Sequence, residues 1–361
     1  MTSKKRMLFN IIFLILVLGL TLYGVFHGRD IHEILRILKT VNPVFLIPGV
    51  FCVLFFIWGE SIIIYYMLRT LGIRVKKWSC FLFSSIGFFF SCITPSASGG
   101  QPAQIFYMNK EKIPVPVSTL ILMIVTIIYK LVLVVIGVFL LLFGQDFIQT
   151  YLYDIRHIFY LGIALNVFCV TSMTILVFHN SLARNILVTG LSILEKLHLV
   201  RHKESRLNKL NSSMDQYNNT AEYLRTHALV MFNVFIITML QRTALFLTTW
   251  FVYLAFGLEG ASLPVVVTLQ AVISVSVDML PLPGGMGISE KLFLMIFIPI
   301  FGTKLLIPGM ILSRGLGYYT ELILSAVLTI AAHFTLGRKK AINVIFRSKH
   351  EKGEENNVRI L

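Results

Sequence analysis

Charge is scarce in this sequence. Only 14% of the residues are charged, while 56% are hydrophobic. A soluble domain carries about 25% charged residues, because its surface must be wetted. The shortage therefore excludes an ordinary soluble domain. Acids are scarcer still, 17 against 32 Lys and Arg, for a net charge of +15. In a soluble chain that excess would suggest nucleic acid. Here the bases sit in short loops between apolar runs, which is the positive-inside pattern of membrane proteins, so no nucleic-acid partner is expected. Cysteine is sparse: Cys52, Cys80, Cys92 and Cys169 all lie in apolar runs without a CxxC pair. That pattern implies neither a disulfide framework nor a zinc site. There is no nucleotide loop, no HExxH and no GxSxG, and His179, His198 and His202 lack ligand spacing. We expect no catalytic residue of the soluble-enzyme kind, no metal and no cofactor.

What is present is a series of long apolar runs. A full crossing takes about 20 apolar residues. Runs at 7–27, 45–68, 117–143, 157–178, 229–256 and 304–333 meet that length. The first follows Lys4-Lys5-Arg6, is longer than a signal-peptide core and shows no cleavage site, so it reads as a retained helix. Runs at 79–94 and 265–280 are too short to cross, and each ends in a Pro/Gly cluster followed by a second short apolar stretch. If each is a re-entrant hairpin, 23 Lys and Arg fall on the cytoplasmic side and 5 outside. A single crossing at 79–108 would put the basic segment 184–225 outside. The bias favours hairpins, with both termini in the cytoplasm of a plasma-membrane protein.

The expected fold is therefore an all-α polytopic membrane protein of about six spans and two half-helix hairpins. It forms one integral domain over 1–340, with a tail at 341–361. Two series of four elements, 7–143 and 157–335, start on opposite sides, an inverted repeat of the kind found in secondary transporters. Spacings agree: Glu60 precedes Gly99 as Arg242 precedes Gly284, and Lys130 follows Gly100 as Arg314 follows Gly285. Between the halves lies a basic linker, 180–227. In it Ile193, Leu197, Val200, Leu207 and Leu210 suit either an interfacial amphipathic helix or a solvated linker. A short interfacial helix is expected at 32–41.

The hairpin tips carry the chemistry. The first reads Thr94-Pro95-Ser96-Ala97-Ser98-Gly99-Gly100-Gln101-Pro102-Ala103-Gln104. The second reads Asp278-Met279-Leu280-Pro281-Leu282-Pro283-Gly284-Gly285-Met286-Gly287-Ile288-Ser289-Glu290. Pro removes donors and Gly loosens the backbone, so helices stop here. Broken helix within a membrane must be buried in protein or line a wet cavity. Restarted half-helices would aim N–H groups at an anion such as a lipid phosphate. The plainer alternative is a pair of kinks. Inside the spans stand Glu60, Lys130, Arg242, Asp278, Glu290, Lys291, Arg314 and Glu321. Four acids and four bases are enough for full pairing. Intramembrane charges are functional candidates by default, with structural ion pairs as the alternative. Arg242 and Arg314 suit bidentate phosphate contact. Glu321 follows Arg314 by seven residues, two helical turns along one face, with Tyr318 and Tyr319 between. Lys291 is expected to reach the outer surface.

With the tips in view, the sequence resembles the flippase-like transmembrane domain of lysylphosphatidylglycerol synthases, the multiple peptide resistance factor family. The matching features are Thr94-Pro95 with Gly99-Gly100, the Pro283-Gly284-Gly285-x-Gly287-x-x-Glu290 tip, and Arg314 followed by Tyr318. They span about residues 5–340. Many relatives carry an acid after the first GlyGly and an Arg three residues later; here those positions are Gln101 and Gln104. The resemblance implies movement of phosphatidylglycerol, or its aminoacyl form, between leaflets, with resistance to cationic peptides. Full-length relatives add a soluble domain that transfers lysine from lysyl-tRNA. No stretch of this sequence is long and polar enough to be one, so lysyl transfer by this chain alone is not expected. Three readings stand: a lipid translocase, a membrane enzyme that transfers a group to a lipid, and a partner subunit of a separate synthase. Oligomeric state is open.

Overall fold

The computed structural model describes residues 31–179 and 203–336. The run at 7–27, the segment 180–202 and the tail lie outside them. Within them the chain is a bundle of helices. A short helix, α1 (Ile31–Lys39), precedes α2 (Leu46–Thr70) and lies where a short helix is expected from the sequence. The first hairpin is α3 (Lys77–Ile93) and α4 (Gly100–Lys110). Then come α5 (Val115–Phe143), a short α6 (Gln145–Tyr151) and α7 (Arg156–Phe178). After α8 (Lys203–Thr226) and α9 (Ala228–Ala255), the second hairpin is α10 (Leu263–Val277) and α11 (Ile288–Ile296). Finally α12 (Ile298–Arg314), a π-helical turn (Gly315–Tyr319) and α13 (Thr320–Thr335) make the last crossing.

Five of these stretches are long and apolar enough to cross a bilayer: Pro43–Thr70, Val115–Phe143, Tyr153–Phe178, Ala228–Ala255 and Ile298–Thr335. They match five of the six expected spans. The hairpin arms α3 and α10 are apolar but shorter, as the sequence indicated. Large apolar side chains point away from the bundle; Phe51, Phe139, Phe143, Phe168, Val327 and Ile330 are all exposed. Exposed apolar side chains in such numbers are untenable in water and suit contact with acyl chains.

Local chemistry sets the breaks. Pro95 disfavours helical backbone at the residue before it, so Thr94 is extended (φ −118°, ψ 145°) and α3 ends at Ile93. The Thr94 hydroxyl then accepts the Gly99 N–H at 2.9 Å, closing the first tip. The second tip uses left-handed glycines at 284, 285 and 287.

The basic segment between the halves is not a free linker where it is described. Met214, Tyr217, Ala221 and Leu224 of α8 recur at three and four residues, one stripe of a helix. That stripe is buried in the same apolar cluster as Leu120 and Ile124 of α5 and Val177 of α7. Protein covers this face.

Candidate functional site

The two tips meet. Cys92 at the end of α3 and Met286 of the second tip pack around Tyr318 of the π turn. The Tyr318 hydroxyl donates to the Cys92 carbonyl at 2.9 Å. Its ring lies against Gly284, where an added Cβ would overlap Tyr318 Cε2. One aromatic side chain thus touches both tips.

Behind this contact is a cavity of about 490 Å³. That is within the roughly 300–1,000 Å³ of small-molecule sites. Glu60 and Gln104, Gln101, Lys130, Arg242, Asp278, Gly284 and Gly285, Arg314, Tyr318 and Glu321 all line it. Residues far apart in sequence, from the tips and from the spans, are gathered into one space. Gly99, Gly100 and Glu290 stand just outside the lining.

Their places follow from their contacts. At Gly100 an added Cβ would overlap Ser91 Oγ and lie 2.7 Å from the Gly87 carbonyl oxygen, so the glycine lets the arms of the first hairpin touch. We expect Gly100→Ala to splay these arms at a cost of about 1–3 kcal/mol, the usual range for overpacking. The check is a lowered unfolding temperature of the purified protein; an unchanged one would remove the packing argument. Glu290 works from behind the wall. Its Oε2 accepts the Gly287 N–H at 2.6 Å, and its Oε1 accepts Arg314 Nε at 2.8 Å.

One N–H at the start of α11 is already taken: Glu290, in the first turn, accepts that of Gly287. A carboxylate three residues into a helix is well placed to reach back to the residue before it. Arg314 is likewise engaged, giving its Nη2 to the Gly284 carbonyl at 2.9 Å and lying over the Tyr318 ring. It braces the second tip.

The better-placed cations are Lys130 and Arg242. Lys130 Nζ donates to Asp278 Oδ2 at 2.6 Å and lies 3.1 Å from Met279 Sδ. Arg242 Nη2 approaches the other carboxylate oxygen at 3.5 Å, and its guanidinium sits 3.2 Å over the Tyr129 ring. Two cations share one acid. Arg242 is 3% exposed, and its Nε has no hydrogen-bond partner. Buried donors are nearly always paired, and this one is covered by protein rather than open to the cavity.

Full pairing of the intramembrane charges, which the equal counts allow, does not occur among the described residues. Lys291 is exposed at the surface. The remaining three bases are taken by Asp278 and Glu290. Among the described residues Glu60 and Glu321 have no ion pair. Gln104 Nε2 donates to Glu60 Oε1 at 2.6 Å, and the Cys92 thiol donates to Glu321 Oε1 at 3.6 Å. Nor do positions matched by spacing have matched partners: Glu60 has Gln104 where Arg242 has Asp278, and Lys130 reaches across to the second tip where Arg314 stays within its own half. Both glutamines that replace charges in the first tip are used. Gln101 donates to the Thr126 hydroxyl on α5.

Several wall residues carry no signal in the sequence. Tyr129 reads there as a packing aromatic, and Cys92 as a small apolar filler. A polar chain, Gln270–Thr249–Ser313, joins α10, α9 and α12 at 3.0 and 2.7 Å, and its hydroxyls read as ordinary helix residues. The π turn is equally silent, although Gly315 and Gly317 hint at it. It interrupts the α-helical phase between Arg314 and Glu321, yet both line the cavity.

No curated protein matches the sequence. The family described as the lysylphosphatidylglycerol synthase TM region matches residues 7–325 of the 361, spanning both hairpins and the cavity between them, and the chain belongs to that family.

Proposed function

We propose that the protein is a lipid translocase of the plasma membrane, with both termini cytoplasmic, that moves a phospholipid between leaflets by its phosphodiester. Phosphatidylglycerol, its aminoacyl form or another lipid with an anionic headgroup is the substrate, and the activity serves membrane lipid homeostasis and resistance to cationic peptides. The observation that carries this reading is the pair Lys130 and Arg242, two cavity-lining cations that share one acid. A phosphodiester supplies the acceptor oxygens that this corner lacks. Re-entrant hairpins that meet at their tips are the elements through which transporters expose a site to one side and then the other. The opposite starting sides of the two halves read from the sequence fit that use.

The test is leaflet-resolved. The purified chain is placed in vesicles containing acyl-labelled phosphatidylglycerol or its lysyl form, and the label in each leaflet is followed alongside the chemical identity of the lipid. We expect faster exchange with unchanged lipid, lost in Arg242→Gln. A new lipid species would make the protein a transferase instead. No exchange and no new species would favour a partner subunit.

A further inference from the structure

The charges around the cavity do not balance. Lys130 and Arg242 are held by Asp278, and Arg314 by Glu290. Glu60 and Glu321 remain, 9% and 8% exposed, both on the cavity wall and both hydrogen-bonded only to neutral groups. The titratable and charged groups within electrostatic reach of this pair are Tyr129 on α5, Arg242 on α9, Cys92 on α3, and Arg314 and Tyr318 on the last crossing, with Asp278 beside Tyr129. The cations among them are already committed to other acids.

With Glu60 and Glu321 ionised, four acids face three cations, and the site is negative. With both carrying a proton, two acids face three cations, and it is positive. In the low dielectric of a membrane protein that change of sign decides whether an anion is attracted or repelled. Yet Lys130 and Arg242 in the same wall share a single acid, an excess of base that favours an anion. The two observations are compatible in one way: the anion enters when the acids are neutral.

We propose that Glu60 and Glu321 are proton-binding sites, and that an anionic headgroup and protons occupy the cavity together. The inference rests on the anion reading above and adds the coupled ion. Each step is a plain proton transfer: hydronium from the bulk gives its proton to a carboxylate oxygen and becomes water, and the proton returns to bulk water when the headgroup leaves. Both acids hydrogen-bond to the first hairpin, Glu60 through Gln104 on α4 and Glu321 through Cys92 on α3. Their protonation state is therefore felt at the arms of the hairpin that must move. Intramembrane acids that lack a cation are the usual material of proton relays.

Linkage fixes the sign. If protons strengthen anion binding, the anion strengthens proton binding by the same factor. As pH falls through the range where the pair titrates, phosphatidylglycerol binding should tighten about tenfold per pH unit for each proton taken up. A phosphodiester stays ionised throughout, so the slope belongs to the protein. The full chain is placed in phosphatidylcholine vesicles, and binding of acyl-labelled phosphatidylglycerol is measured across pH. On the same samples, the infrared carbonyl band of protonated carboxyl groups is recorded before and after the lipid is added.

The proposal expects binding that steepens toward low pH, a carboxyl band that grows when phosphatidylglycerol is added, and loss of both slope and band in E60Q/E321Q. Binding that is flat with pH overturns the proposal and leaves the lipid reading standing. A band that does not respond to the lipid overturns it too, and this readout uses the unsubstituted chain, so a misfolded variant does not obscure the answer. No phosphatidylglycerol binding at any pH overturns both readings.

Discussion

Asp278→Asn should lower the unfolding temperature of the purified protein far more than Lys130→Met does. Asp278 is a single carboxylate shared by two cations, at 2.6 Å from Lys130 and 3.5 Å from Arg242. Removing the acid strands both cations. Removing Lys130 leaves a one-to-one pair between Arg242 and Asp278. Breaking a buried ion pair by deleting one partner costs about 3–5 kcal/mol, because the survivor keeps its desolvation penalty. The side chains of Lys130 and Asp278 are 14% and 16% exposed to the cavity, so water softens the penalty, and we expect about 3 kcal/mol for Asp278→Asn. Thermal unfolding followed by the fluorescence of Trp58, Trp78 and Trp250 reads the difference directly. Equal shifts for the two variants would mean that the acid does not hold both cations. Because Asp278 ends α10 and Lys130 lies on α5, the same variant also frees the second hairpin from the body of the bundle, and lipid exchange should be lost with it.

Gly284→Ala is the second change with a large expected effect. Gly284 has φ +56° and ψ 20°, which costs an alanine roughly 1–2 kcal/mol by itself. The new methyl would also enter the Tyr318 ring. The ring cannot yield freely, because its hydroxyl is fixed to the Cys92 carbonyl and Arg314 lies over its face. The substitution therefore pushes the tips apart and should abolish exchange while lowering stability. Pairing it with Tyr318→Ala separates the two causes. The double variant relieves the clash and keeps the backbone strain, so the effects should be strongly non-additive, as expected of residues in contact. Additive effects would show that the ring and the glycine do not press on each other.

Much of this architecture is legible in the amino-acid sequence. Span positions follow from run length alone, and the hairpin breaks from Pro95, Pro281, Pro283 and the glycines beside them, because backbone restrictions act locally. The charged wall residues stand out because an ionisable group in an apolar run is conspicuous. Partners are not legible. Equal numbers of acids and bases give no means of seeing that Lys130 and Arg242 converge on Asp278, since that depends on how α5, α9 and α10 pack. Glu290 is marked by its position beside the tip, but its use as a cap depends on Gly287 turning left-handed. Tyr129 and the Gln270–Thr249–Ser313 chain are invisible for the opposite reason: they are common residues in helices, made special only by what stands opposite. The π turn shows the same limit. Spacing by sevens assumes an unbroken α-helix, and nothing in Leu316 or Tyr318 announces a wider turn.

Cys92 has a practical consequence. Its carbonyl receives the Tyr318 hydroxyl and its thiol faces Glu321, so the sulfur lies where the tips touch. Cys80 is buried elsewhere in the bundle, and Cys52 and Cys169 are only partly covered. In a chain with those three replaced by alanine, the remaining thiol becomes a clock. With the tips together the residue is only 6% exposed, so the labelling rate with a water-soluble alkylating reagent should rise with the time the tips stand apart. The molecule carries its own gauge of opening frequency, readable without any lipid being moved.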